Sequence, residues 1–185
     1  DISGDIQNEL DEEGKAYCEH MSIKFPAQVT KYDIWIEGEQ LTEANAGNVK
    51  GDGTVTYDDS TKTLTLNGAN ITNGHTETGQ TYGIFYNNSG DTLNITLGTG
   101  TTSISAVDNG IGGGTYCNGF AISGAGTLNA NVSKNGIKSL TNLTISGGNL
   151  NLSSSGTAGI TAGSLTISGG TVSASATGNS SIGIN

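Results

Sequence analysis

Residues 143–160 read LTISGGNLNLSSSGTAGI, and residues 165–184 read LTISGGTVSASATGNSSIGI, the same phrase restated one short unit later. Self-similarity at a period of about 20–50 residues marks a repeat architecture. A Gly-Ile step recurs at Gly83-Ile84, Gly110-Ile111, Gly136-Ile137, Gly159-Ile160 and Gly183-Ile184, with spacings of 27, 26, 23 and 24 residues. An apolar-x-apolar pair keeps the same beat at Leu64/Leu66, Leu93/Ile95, Phe120/Ile122, Leu143/Ile145 and Leu165/Ile167. A third apolar segment follows most of these, at Ile71, Leu128/Ala130, Leu150/Leu152 and Val172/Ala174.

Alternation of apolar and polar residues is the period-2 pattern of strands, and Gly, Ser, Asn and Thr turns separate the segments. Three short strands per repeat predict a triangular coil. Stacked coils then set each strand parallel to its counterpart about 4.8 Å away, with Leu143 over Leu165 and Ile145 over Ile167. The predicted fold is all-β: a right-handed, single-stranded parallel β-helix of about five coils, roughly 24 Å long. The SGG corners at 146–148 and 168–170 call for backbone conformations that a Cβ resists. Asn109 and Asn135 share a slot before their Gly-Ile steps and are expected to stack as an amide ladder. Asp108 and Lys134 precede them and are expected to pair across coils.

The first part of the chain is different. YDIWIEGEQLT (32–42) alternates about Glu37-Gly38 and reads as a hairpin, and TVTY (54–57) with TLTL (63–66) reads as a second. Since a solenoid exposes strand edges at its end, these hairpins are assigned as an N-terminal cap. The expected organisation is an acidic lead with a possible strand over 1–31, a β cap over 32–66 and the parallel β-helix over 67–185. The C-terminal end reads as uncapped, which suggests a longer natural chain or end-to-end self-association. The start at Asp1, without Met or an apolar leader, reads as a chain whose signal peptide has been removed.

Composition narrows function mainly by exclusion. The formal charge is -10, and there are seven Lys and no Arg, which argues against nucleic acid and against an acidic membrane surface. Fourteen of the seventeen carboxylates lie in residues 1–60 and none follows Asp108, so the body is polar but nearly uncharged. No stretch has the length and apolarity of a membrane helix. A polysaccharide lyase would want an Arg or Lys base beside an acidic calcium cluster, and only Lys134 and Lys138 lie on the coils. A glycosidase would want paired carboxylates, and Glu77, Asp91 and Asp108 show no pairing in their spacing. The chain is therefore read as non-catalytic.

Candidate binding residues are few. Tyr82, Tyr86 and Tyr116 fall near the Gly-Ile steps of adjacent coils and Trp35 lies in the first hairpin; aromatic faces with amides and hydroxyls suit sugar rings. For each of these residues the favoured reading is structural, as core or cap packing. Asp52, Asp58 and Asp59 are the candidate calcium ligands, although GDG and DD are also ordinary turn chemistry. His20 and His75 are isolated, which disfavours zinc. Cys18 and Cys117 are compatible with one disulfide in an oxidising compartment and equally with two separate thiols.

YDIWIEGEQLTEANAGNVKGDGTVTYDDSTKTLTLNGANI (32–71) resembles a module of secreted and surface proteins of gut-dwelling bacteria, where it often precedes Gly/Ser/Thr/Asn-rich β-helical repeats of the LTISGG kind. The resemblance covers residues 32–185 and leaves the first thirty outside it. It implies a secreted or cell-surface location in a bacterium and a β-helical fold. It also implies a carbohydrate-binding or adhesive role toward a polysaccharide or host glycan, with calcium or acidic polysaccharide among the ligands of similar proteins. Set against it are a purely structural surface spacer and a protein-binding adhesin.

Overall fold

A computed structural model of the chain describes residues 28–185, together with a short antiparallel pair, β1 (Glu9–Leu10) and β2 (Ala16–Tyr17). The acidic lead and Cys18 otherwise lie outside the described residues. Every described element is a strand.

The chain enters as a hairpin, β3 (Lys31–Ile36) and β4 (Glu39–Thr42), turning at Glu37 and Gly38, whose φ values of 54° and 89° are those of a primed hairpin turn. A second hairpin joins β5 (Val55–Asp58) to β6 (Thr63–Leu66). From β6 onward the strands wind as a β-solenoid of about four turns.

The first face stacks β6, β10 (Leu93–Leu97), β13 (Gly119–Gly124) and the later halves of β15 (Asn135–Ile145) and β17 (Ala158–Ile167). The second face stacks β7 (Asn70–Ile71), β11 (Thr101–Ser105), β14 (Thr127–Val132), β16 (Asn149–Ser154) and β18 (Thr171–Ala176). The third stacks β9 (Gln80–Tyr86), β12 (Asn109–Gly113), the early halves of β15 and β17, and β19 (Ile182–Ile184). Short β8 (His75–Glu77) folds back on β9. Because β15 and β17 run through a corner, the first and third faces form one continuous sheet.

All pairings between successive rungs are parallel, and they carry like residues over like. Leu64, Ile95, Ile122, Ile145 and Ile167 form one column, and Ile84, Ile111, Ile137, Ile160 and Ile184, the five Gly-Ile steps, form another. Ile71, Ile104, Ala130, Leu152 and Ala174 form a third on the second face. These columns converge on a single apolar core. Thr102 alone puts a polar side chain into a column of Leu and Val, and its hydroxyl accepts from the Ala69 amide at 3.2 Å. In the SGG corners, Gly148 and Gly170 adopt φ values of 86° and 78°.

Strand β6 has two roles: it closes the second hairpin against β5 and carries the first rung against β10. On the third face β3 plays the equivalent covering part, pairing antiparallel with β9. The hairpins thus cover the strand edges of the first rung on two faces, and Ile34, Ile36, Leu41 and Val55 continue the core beneath them. At the opposite end Ile167, Ile182 and Ile184 are each about half exposed.

Both expected cross-rung side-chain contacts are present. Asn135 Nδ2 donates to Asn109 Oδ1 at 2.7 Å, and Asn109 Nδ2 donates onward to Gln80 Oε1 at 3.1 Å. Lys134 Nζ lies 3.4 Å from the Asp108 carboxylate, which also accepts from the Ser133 hydroxyl at 2.7 Å and the Thr81 amide at 3.1 Å. The Ser133 bond, with those from Thr81 and Lys134, holds the Asp108 carboxyl below its ordinary pKa against the opposing effect of burial.

Ile145 is fully buried between Ile122 and Ile167. Ile145→Asp would place an unpaired carboxylate in that column, at an expected cost of about 3 kcal/mol or more. Ile167→Asp, in the same column but 47% exposed, is expected to cost under about 1 kcal/mol. Thermal unfolding followed by circular dichroism should show a large fall in midpoint for the first and a small one for the second. Equal shifts would refute the inward assignment of Ile145.

Candidate functional site

The outward side of the third face is where irregular backbone and unusual side chains converge. The pairing of β3 with β9 sets Trp35 opposite Phe85, and the pairing of β8 with β9 brings His75 across from Tyr82. Their rings make one cluster outside the solenoid core. His75 stacks on Trp35 at 4.6 Å and on Phe85 at 4.9 Å between centroids, Trp35 lies 5.7 Å from Phe85, and Tyr82 lies 5.0 Å from Phe85. His75 Nε2 is 3.5 Å from Glu77 Oε2.

Tyr82 lies flat against the next rung because that rung has no side chain there. A Cβ on Gly112 would sit 2.3 Å from a Tyr82 ring carbon. Lys138, in register with Gly112 one rung further along, reaches back over the ring at 5.9 Å from its centroid. Its ammonium donates to Gln80 Oε1 at 3.3 Å and to the Tyr82 hydroxyl at 3.5 Å. No carboxylate among the described residues pairs with it. Burial raises the Tyr82 phenol pKa, partly offset by the positive charge of Lys134.

A cleft of about 80 Å³ opens beside this cluster, lined by Glu77, Thr78, Tyr82, Phe85, Lys138 and Leu140, among others. Two departures from regular backbone form its walls. Thr78 is a β-branched residue at φ 47°, a conformation such residues rarely adopt. Leu140 falls where β15 and β17 slip register between Ser139 and Asn142, and the irregularity turns it outward to 50% exposure. The Thr141 hydroxyl donates to the Cys117 carbonyl at 3.0 Å and so ties this bulge to the loop that carries Tyr116.

The four predicted aromatic positions therefore part company. Trp35 and Tyr82 join one cluster through Phe85, with Trp35 partly exposed and Tyr82 only 3% exposed. Tyr116 stands 69% exposed on the β12–β13 loop. Tyr86 does not face solvent as a platform would require: it is 1% exposed, packs near Phe120, and its hydroxyl donates to the Asp91 carbonyl at 3.2 Å. The reason is strand parity, since Tyr86 shares the inward side of β9 with Ile84.

The three aspartates are each engaged within their own turns. Asp52 accepts from the Thr54 amide and hydroxyl, Asp58 from Ser60 and Thr61, and Asp59 from Tyr57 and Lys62. Hydrogen bonds from Thr54 and from Ser60 hold the first two below the usual carboxylate range. Among the described residues, no three His, Cys, Asp or Glu side chains are placed together to hold a metal. Cys117 is a buried thiol whose pKa burial raises; its proposed partner Cys18 and the isolated His20 lie outside the described residues.

Comparison with protein-family models, with curated proteins and with solved structures finds no match.

His75, Phe85, Lys138 and Leu140 were not among the expected site residues. The Gly-Ile register carried a signal for two of them, because counting outward from Ile84, Ile111 and Ile137 places Phe85, Gly112 and Lys138 in a single row. Gly112→Ala should force the Tyr82 ring off β12 and cost about 1–3 kcal/mol by overpacking. A denaturant titration measures this, and a change below a few tenths of a kcal/mol would show that the ring is free to move.

Proposed function

We propose that the chain is a non-catalytic, secreted or cell-surface bacterial module that binds glycan. In this reading it is a right-handed parallel β-helix of about five coils, capped by its N-terminal hairpins. Parallel strands linked by crossovers take the right hand in nearly all known cases, and the antiparallel edges supplied by β3 and β5 suit a cap. The observation that carries the functional reading is the third-face cleft. An aromatic floor, a lysine that no carboxylate among the described residues pairs with, a glutamate and an outward leucine meet there on a scaffold whose other outward rows are regular. Such a mixture of ring faces and convergent polar groups suits a sugar ring and its hydroxyls.

A second reading is a structural spacer or a protein-binding adhesin. It draws on the burial of Tyr82 and Tyr86, which leaves few accessible ring faces, and on the uniform Ser, Thr and Asn rows of the second face.

A glycan array probed with the purified chain, with calcium and again with chelator, separates these readings. Specific binding is expected, and Tyr116→Ala and Lys138→Gln should each weaken it about tenfold; Tyr116→Ala, at a 69% exposed position, should leave the thermal midpoint unchanged. Sensitivity to chelator would add the Asp52, Asp58 and Asp59 turns to the binding surface. Silence across plant, host and bacterial glycans would overturn the glycan reading in favour of the spacer.

A further inference from the structure

A second concavity lies on a different edge of the solenoid, at the corner between the second and third faces. It measures about 400 Å³ and takes residues from four consecutive rungs: Thr81 from the first, Ala106 and Asp108 from the second, Asn131 and Ser133 from the third, and Ser155 from the fourth. It is therefore a groove along the solenoid axis, and it shares no aromatic residue with the third-face cleft.

Its chemistry is uncharged in effect. Asp108 is the groove's one carboxylate, and both of its oxygens are engaged, Oδ1 by the Ser133 hydroxyl and Oδ2 by the Thr81 amide and Lys134. The adjoining second face continues the same character: every outward residue of β11, β14, β16 and β18 is Ser, Thr or Asn. On that face Asn151 Nδ2 donates to Asn129 Oδ1 at 2.9 Å, which leaves the outer amide groups of the row free for a ligand. Ala106, at the groove's lip, holds φ 59°, a strained conformation for a residue with a Cβ.

We propose that this corner groove binds an unbranched, uncharged polysaccharide lying parallel to the solenoid axis. The inference rests on the glycan reading above and names the ligand class and its direction. Rungs repeat about every 4.8 Å, and a β-1,4-linked chain of pyranoses advances by roughly one rung per sugar, so each sugar meets an equivalent set of hydroxyl and amide groups. Neutral hydroxyls match a groove whose ion pair is already satisfied, whereas an anionic chain would meet Asp108 with the neighbouring Lys134 already engaged by it.

Calorimetric titration with β-1,4-linked glucose oligosaccharides of increasing length tests this. Affinity should rise with each sugar up to about four, the number of rungs that line the groove, and then level off. It should be nearly independent of salt, because no counterions are released. Asn131→Ala should weaken it about five- to tenfold through a lost hydrogen bond, and Ser155→Trp should abolish it by filling the groove. Both positions are exposed, so folding is preserved and circular dichroism should be unchanged. The proposal is overturned if both variants bind as the parent does, or if the matching uronic acid oligosaccharide binds more tightly than the neutral one. Failure of the neutral series alongside a positive glycan array would reject the groove and keep the glycan reading; silence in both would reject the two together.

Discussion

The parallel backbone ladder between successive rungs is the constraint on which everything else in this chain depends. Each strand's amides and carbonyls are satisfied by the strand one turn away, so the chain must return to the same angular position at nearly the same residue count. Register then follows without further choice. A residue that faces inward in one rung sits on an inward residue of the next, which is why five isoleucines from Gly-Ile steps as distant as Ile84 and Ile184 form one column. With only 33% apolar residues, the chain can afford no wide globular core, and a linear core one side chain deep is the arrangement that buries them.

What the ladder leaves free is the outside. Along the second face the outward rows are monotonous hydroxyls and amides, a surface that interferes with nothing and is easily repeated. Variation gathers where the rows are interrupted: at the Thr78 turn, at the bulge that extrudes Leu140, and at the glycines of β12 that let Tyr82 lie down. Loops and irregularities carried by a rigid scaffold are where recognition is usually placed.

The two concavities differ in kind. The third-face cleft is small and aromatic at its floor, and no carboxylate among the described residues pairs with its lysine. The corner groove is longer, polar and charge-balanced, and its repeat is that of the rungs themselves. In a solenoid the first kind of site arises from an exception to the repeat and the second from the repeat itself. A ligand that is also a repeating polymer can exploit the latter.

The sequence by itself determined the solenoid, the three faces and the stacking partners. Period-2 alternation inside a longer repeat leaves only one way to bury Leu143 beside Leu165 and Ile145 beside Ile167. It also determined both hairpins through Glu37-Gly38 and the Asp58 turn, and the Asp108–Lys134 and Asn109–Asn135 contacts, because each is fixed by register and local turn chemistry. Only the tertiary structure decided which aromatics are available. Tyr82 shares the parity of Ile84 and Tyr86, yet its ring lies with Phe85 outside the core, where Trp35 and His75 arrive from strands that return antiparallel onto β9. The close approach that makes glycine necessary in the Gly-Ile step was equally invisible, since a Cβ on Gly136 would meet Leu152 of the opposite sheet at 2.8 Å. Both outcomes come from contacts between segments far apart in the chain, where local pattern carries no information about what packs on what.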